Sequence, residues 1–152
     1  MALLNIVKIG EDVLRKKSRP VEEITPRIIR LLDDMQETLK DSGGVGLAAP
    51  QVGILKRIVL VDNGEEVLEL INPEIIETSG TQEEVEGCLS CPNQWGTVVL
   101  PAYVKVRAMN RHGEIYEADG TELTARCFCH EIDHLEGELF VDKVTRVLSQ
   151  SI

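Results

Sequence analysis

The chain of 152 residues predicts an α+β fold, with mainly antiparallel sheets packed around a central helix that carries H-E-x-x-H. Three observations lead there. Two segments with apolar residues at helical spacing stand far apart in the chain. The runs between them read as strands. Those runs pair off around Asn-Gly and His-Gly turns, as hairpins do. Strands gathered between two separated helices point to α+β, mainly antiparallel.

The elements follow in order. Thr25 and Pro26 read as N-cap and first helical position. Ile28, Leu31, Leu32, Met35 and Leu39 then recur at helical spacing, and Gly43-Gly44 stops the helix. That stripe is a core face rather than a cofactor box. Arg57 to Asp62 and Glu66 to Asn72 read as strands around Asn63-Gly64. Tyr103 to Met109 and Glu114 to Ala118 form a second hairpin across His112-Gly113. Asp119-Gly120-Thr121 opens the motif helix and Gly137 ends it, with Leu123, Cys127 and both histidines on its site-facing side. No internal repeat, low-complexity segment or linker interrupts the chain, so residues 1–152 are expected to form a single domain.

Composition excludes some functions. Hydrophobic residues make up 43% and charged residues 28%, ordinary for a soluble globular protein. A formal net charge of −10 disfavours broad binding to nucleic acid or anionic membrane surfaces, and no direct sequence-specific nucleic-acid contact is expected. The cluster Arg15, Lys16, Lys17 and Arg19 reads as a solvated face. Met1 to Asn5 lacks the apolar stretch of a signal peptide, and no run approaches membrane-span length. Four cysteines suit a reducing cytosol better than a disulfide framework, so a cytoplasmic location is expected.

The chemistry concentrates in His130-Glu131-Ile132-Asp133-His134. On a helix, histidines at i and i+4 share one face and can hold one metal ion together. The glutamate after the first histidine lies where it can take a proton from water. A catalytic site takes three protein ligands and keeps one position open. Cys127 lies seven residues from His134, about 10 Å of helical rise. Ligands of one ion lie within about 4 Å of one another, so Cys127 cannot join both histidines. Cys129 points about 100° away from His130 around the helix. Both cysteines read as packing residues, and His112 as a solvated turn residue. That leaves the segment Glu86 to Cys91, reaching the helix from elsewhere in the fold. Its Cys88-x-x-Cys91 spacing also admits a redox pair or half of a structural zinc site. Pro92-Asn93 directly after argues for a loop.

Three segments, in this order and at these separations, resemble the peptide deformylase family: Gly44 to Gly53, Glu86 to Ser90, and His130 to Gly137. Ile6 to Val21 is similar to the family's opening, and the likeness spans nearly the whole chain. The resemblance implies Cys88, His130 and His134 as metal ligands. It implies Fe2+ in the working enzyme, with Zn2+ or Ni2+ in a purified sample, and Glu131 as general base. The Gln51 side chain and the Leu89 backbone N–H would donate to the oxyanion. Gly44 and Gly46 fit a backbone run lying close to substrate. Val45, Leu89, Leu123 and Cys127 would line a pocket for a methionine side chain, although each also suits a core. The substrate would be an N-formyl-methionyl nascent peptide, met in transient contact with the ribosome by a monomeric enzyme. Three positions depart from the family pattern: Cys129 replaces glutamine, Cys91 an aliphatic residue, and Leu100 an arginine near the substrate cleft. The chain also ends soon after Phe140-Val141-Asp142, without the basic C-terminal helix that some members use on the ribosome.

Two rivals share the pentapeptide. A zincin protease would take Glu or His downstream as third ligand; Glu136, Glu138 and Asp142 but no histidine follow His134, and the cysteine in Glu86 to Ser90 favours the deformylase reading. A closed, non-catalytic metal site would use Cys91 as a fourth ligand, but has no use for a base at Glu131 or a donor at Gln51.

Overall fold

The computed structural model describes residues 3–7, 12–88, 91–138 and 144–149, with the backbone alone at 84–88, 91–98 and 144–149. Among them, seven strands lie between two α-helices and an eighth follows the second helix. Helix α1 (Pro26–Ser42) starts where the Thr25 hydroxyl accepts from the Ile28 N–H at 3.2 Å. It ends where Gly43 turns left-handed at φ 72° and donates to the Lys40 carbonyl. Strands β1 (Gly46–Ala48), β2 (Ile58–Asp62), β3 (Val67–Ser79), β6 (Tyr103–Met109) and β7 (Ile115–Thr121) form one antiparallel sheet in the order β1-β2-β3-β6-β7. Strands β4 (Gln82–Cys88), β5 (Cys91–Leu100) and β8 (Val144–Ser149) form a second, in the order β4-β5-β8. Helix α2 (Glu122–Leu135) carries the pentapeptide.

Strand β2 explains the layering. Ile58, Val59, Leu60 and Val61 are all fully buried, because both faces of the sheet are covered. Ile58 and Leu60, with Leu47 and Ile71, pack against Leu32, Met35 and Leu39 of α1. Val59 and Val61, with Leu70, Val104 and Val106, pack against Ala125, Phe128, Ile132 and Leu135 of α2. The period of two in the strand thus divides the core between two helices. Around 25 cal/mol per Å² of buried apolar surface makes this division the main source of stability.

Polar clamps fix the helices on the sheet. Asn72, at φ 53°, accepts from the Val21 N–H and donates to the Val21 carbonyl, both at 2.8 Å. Arg111 reaches Glu69 at 2.6 Å and Asp33 at 2.9 Å, tying the β6–β7 turn to β3 and α1. Gln36 donates to the same Glu69 carboxylate at 2.7 Å.

Three segments differ from expectation. Strand β3 runs past Asn72 to Ser79, with register shifts between Ile71/Glu74 and Ile75/Glu77 that absorb the left-handed residue. Asp119 and Gly120 lie in β7, and Thr121 both ends that strand and N-caps α2. Pro92-Asn93 lies in β5 rather than in a loop. Among the described residues β8 pairs β5 only from Trp95 to Val98, so the missing N–H of Pro92 faces no second described strand there. No helix of the described residues is long and apolar enough to cross a membrane.

Candidate metal centre

Helix periodicity assembles the centre. His130 and His134, one turn apart on α2, face each other edge-on with ring centroids 5.0 Å apart at 76°. The Glu131 carboxylate lies 3.9 Å from His130 Nε2. One ligating atom from each of His130, Glu131 and His134 falls within 4.8 Å of the others. Glu131 is 5% exposed and His134 fully buried. Burial first, then the neighbouring His130, pushes the His134 imidazole down to about 3. It is therefore neutral near pH 7, the form that offers a lone pair to a cation. Two imidazoles beside a buried carboxylate form a donor set that fits a divalent metal.

Strand β1 backs this centre. A Cβ at Gly46 would lie 2.5 Å from Cys127 Sγ and 2.7 Å from Glu131 Oε2. Only glycine lets this strand approach the helix so closely. The Cys127 thiol donates to the Val45 carbonyl at 3.4 Å. Past β1 the chain tightens into a 3-10 turn, Ala49–Val52, in which Gln51 is 1% exposed. Gln51 Oε1 accepts from the Ala48 N–H at 2.9 Å. That bond commits the oxygen, so the NH2 group is the donor end of the amide.

The structure therefore gathers His130, Glu131, His134, Gly46, Cys127 and Val45, with Gly44 leading into β1 and Gln51 following it. Val45 is 40% exposed and Leu123 49%, open positions rather than core. Cys129 and Leu100 are both buried in the apolar cluster that α2 joins. His112 is exposed in its turn. The backbone of Cys88 closes β4 in register with Cys91, while Leu89 lies outside the described residues. Sequence reading passed over Arg126, whose signal was its place one turn before His130.

A buried glutamate beside paired histidines, on a helix packed against an antiparallel sheet, defines a metallo-hydrolase. The family model described as polypeptide deformylase matches residues 3–150, and the chain belongs to that family. A peptide deformylase from Alkaliphilus metalliredigens is 58% identical over 144 residues, covering 94% of this chain and 98% of that protein. The crystal structure of a peptide deformylase from Legionella pneumophila aligns with TM-score 0.91 at 40% identity, over 94% of this chain and 86% of that one. One from Thermotoga maritima aligns with TM-score 0.91 at 38% identity, over 94% and 98%. The family's enzymes are metal-dependent hydrolases that remove the N-terminal formyl group from newly made polypeptides.

Proposed function

We propose that this chain releases formate from the formyl-methionine end of nascent polypeptides through a ferrous centre held by Cys88, His130 and His134. The carrying observation is the buried Glu131 carboxylate, set between the histidine pair and the glycine strand. A divalent metal there supplies Lewis acidity, which makes water acidic near neutral pH. Glu131 takes a proton from the attacking water as the C–O bond forms. It returns that proton to the amine as the C–N bond breaks, giving formate and a free amino terminus. The Gln51 NH2 group and the Leu89 backbone N–H donate to the oxygen of the tetrahedral intermediate, where one such donor is worth about 3–4 kcal/mol of barrier. The Ala48–Gln51 bond supports that role, because it pre-orients the donor. Gly44 and Gly46 bring backbone close to the substrate, and Val45, Leu123 and Cys127 border its methionine side chain. Thiolate and imidazole ligands accept Fe2+ or Zn2+, and Ni2+ is a further replacement. The enzyme acts in the cytoplasm as a single-domain monomer that meets its substrate during transient ribosome contact.

The test is formate release from a formyl-Met peptide by protein loaded anaerobically with ferrous iron and, in parallel, with zinc. Glu131→Ala keeps its metal and loses about 10²–10⁴-fold in turnover, the range of general-base catalysis. Full activity in that variant sinks the mechanism, and no release by the metal-loaded parent sinks the function.

A further inference from the structure

Acidic residues outnumber basic ones 26 to 16 in this chain, and three arginines are held by carboxylates. Arg57 reaches Glu136, Arg107 reaches Glu74 and Glu117, and Arg111 reaches Asp33 and Glu69. Arg126 reaches none among the described residues, and its Nε is buried with no hydrogen-bond acceptor among them. The Arg126 cation is therefore not already neutralised by a carboxylate of the fold among the described residues. The residue as a whole is only half-buried, so it remains within reach of a ligand.

Its position says which ligand. Arg126 lies three residues after Leu123 and four before His130, on one strip of α2. That strip leads from the 49%-exposed Leu123 to the metal centre. Beside Arg126 in sequence is Cys127, whose thiol meets the Val45 carbonyl. Val45 and Leu123 are the exposed apolar residues beside this strip. A peptide with its formyl carbon at Glu131 brings its following residues past this guanidinium. We propose that Arg126 determines specificity beyond the formyl-methionine, pairing with a carboxylate side chain on the second or third residue of the peptide. The inference rests on the deformylase reading.

The experiment compares kcat/KM of the metal-loaded enzyme on formyl-Met-X-Ala and formyl-Met-Ala-X, with X as Glu, Gln or Lys. The wild type is expected to favour Glu over Lys by about fivefold at one of the two positions, the size of a partly exposed charge pair, with the difference in KM. Arg126→Gln brings that ratio to about one. Arg126→Lys retains part of it, because lysine keeps the charge but loses the planar fork. The ratio between peptides is the readout, so a general loss of activity does not mimic the result. Where Arg126→Gln fails to fold, the preference of the wild type and of Arg126→Lys decides. Equal use of the Glu and Lys peptides by the wild type, or an unchanged ratio in Arg126→Gln, overturns the proposal while leaving the deformylase reading intact. No formate from any peptide overturns both.

Discussion

Gly46→Ala tests whether the closeness of strand β1 to helix α2 holds the Glu131 carboxylate, proposed as the general base, in place. The added methyl would meet Cys127 Sγ at 2.5 Å, Glu131 Oε2 at 2.7 Å and Glu131 Cγ at 2.8 Å. Ordinary contact begins near 3.4 Å, so the three atoms must retreat by about 0.6 to 0.9 Å. None is the far end of a free side chain. Cys127 is held by the Val45 carbonyl, and Glu131 is 5% exposed with its stem on a packed helix. Overpacking of this kind costs about 1–3 kcal/mol. In a domain of this size each kcal/mol lowers the midpoint by about 2–4 °C. The kinetic loss is expected to be larger, because a catalytic group misplaced by about 1 Å can lose about 10²-fold. Formate release from a formyl-Met peptide measures turnover, and thermal unfolding measures stability. The double variant Gly46→Ala/Cys127→Ala removes the closest clash but leaves Glu131 displaced. Stability should then recover in part while turnover stays low. Wild-type kcat and midpoint in Gly46→Ala would refute the reasoning.

Cys88→Ala should lose bound metal and turnover together, checked by metal analysis alongside formate release; retention of one tightly bound equivalent contradicts Cys88 as a ligand. Arg111→Met leaves the Glu69 carboxylate, whose side chain is 10% exposed, without its cation, and should lower urea stability by about 1–3 kcal/mol with little change in kcat. Tyr116 is pushed up to about 12, by burial first and then by Glu69 and Glu66, and its hydroxyl donates to the Glu69 carbonyl at 2.5 Å. A folded pKa above the unfolded value near 10 gives stability that is complete below pH 10 and lost as pH rises through about 12. Tyr116→Phe should flatten that alkaline limb, and an unchanged slope would contradict it.

Local rules were legible wherever cause and effect lie within a few residues. The Thr25 hydroxyl reaches the Ile28 N–H three residues on, and Gly43 supplies a left-handed turn that other residues resist. The i, i+4 placement of His130 and His134 is a property of the helix alone. For the same reason the metal-binding pentapeptide could be read before any coordinates. The Pro92 strand was not legible, because its acceptability depends on where β8 begins to pair β5.

The chain by itself therefore determined which segments become helices, where they stop, and which pentapeptide brings two histidines and a glutamate together. Short-range sterics, periodicity and residue type are sufficient for those. The tertiary structure decided what surrounds them. It placed Val45 against Cys127, 82 positions away, and made Gly46 the residue that lets Glu131 be buried. It divided β2 between two helices and left Arg126 without a carboxylate among the described residues. Each of these depends on contacts between residues tens of positions apart, whose pairing is set by packing of the whole fold rather than by any local pattern.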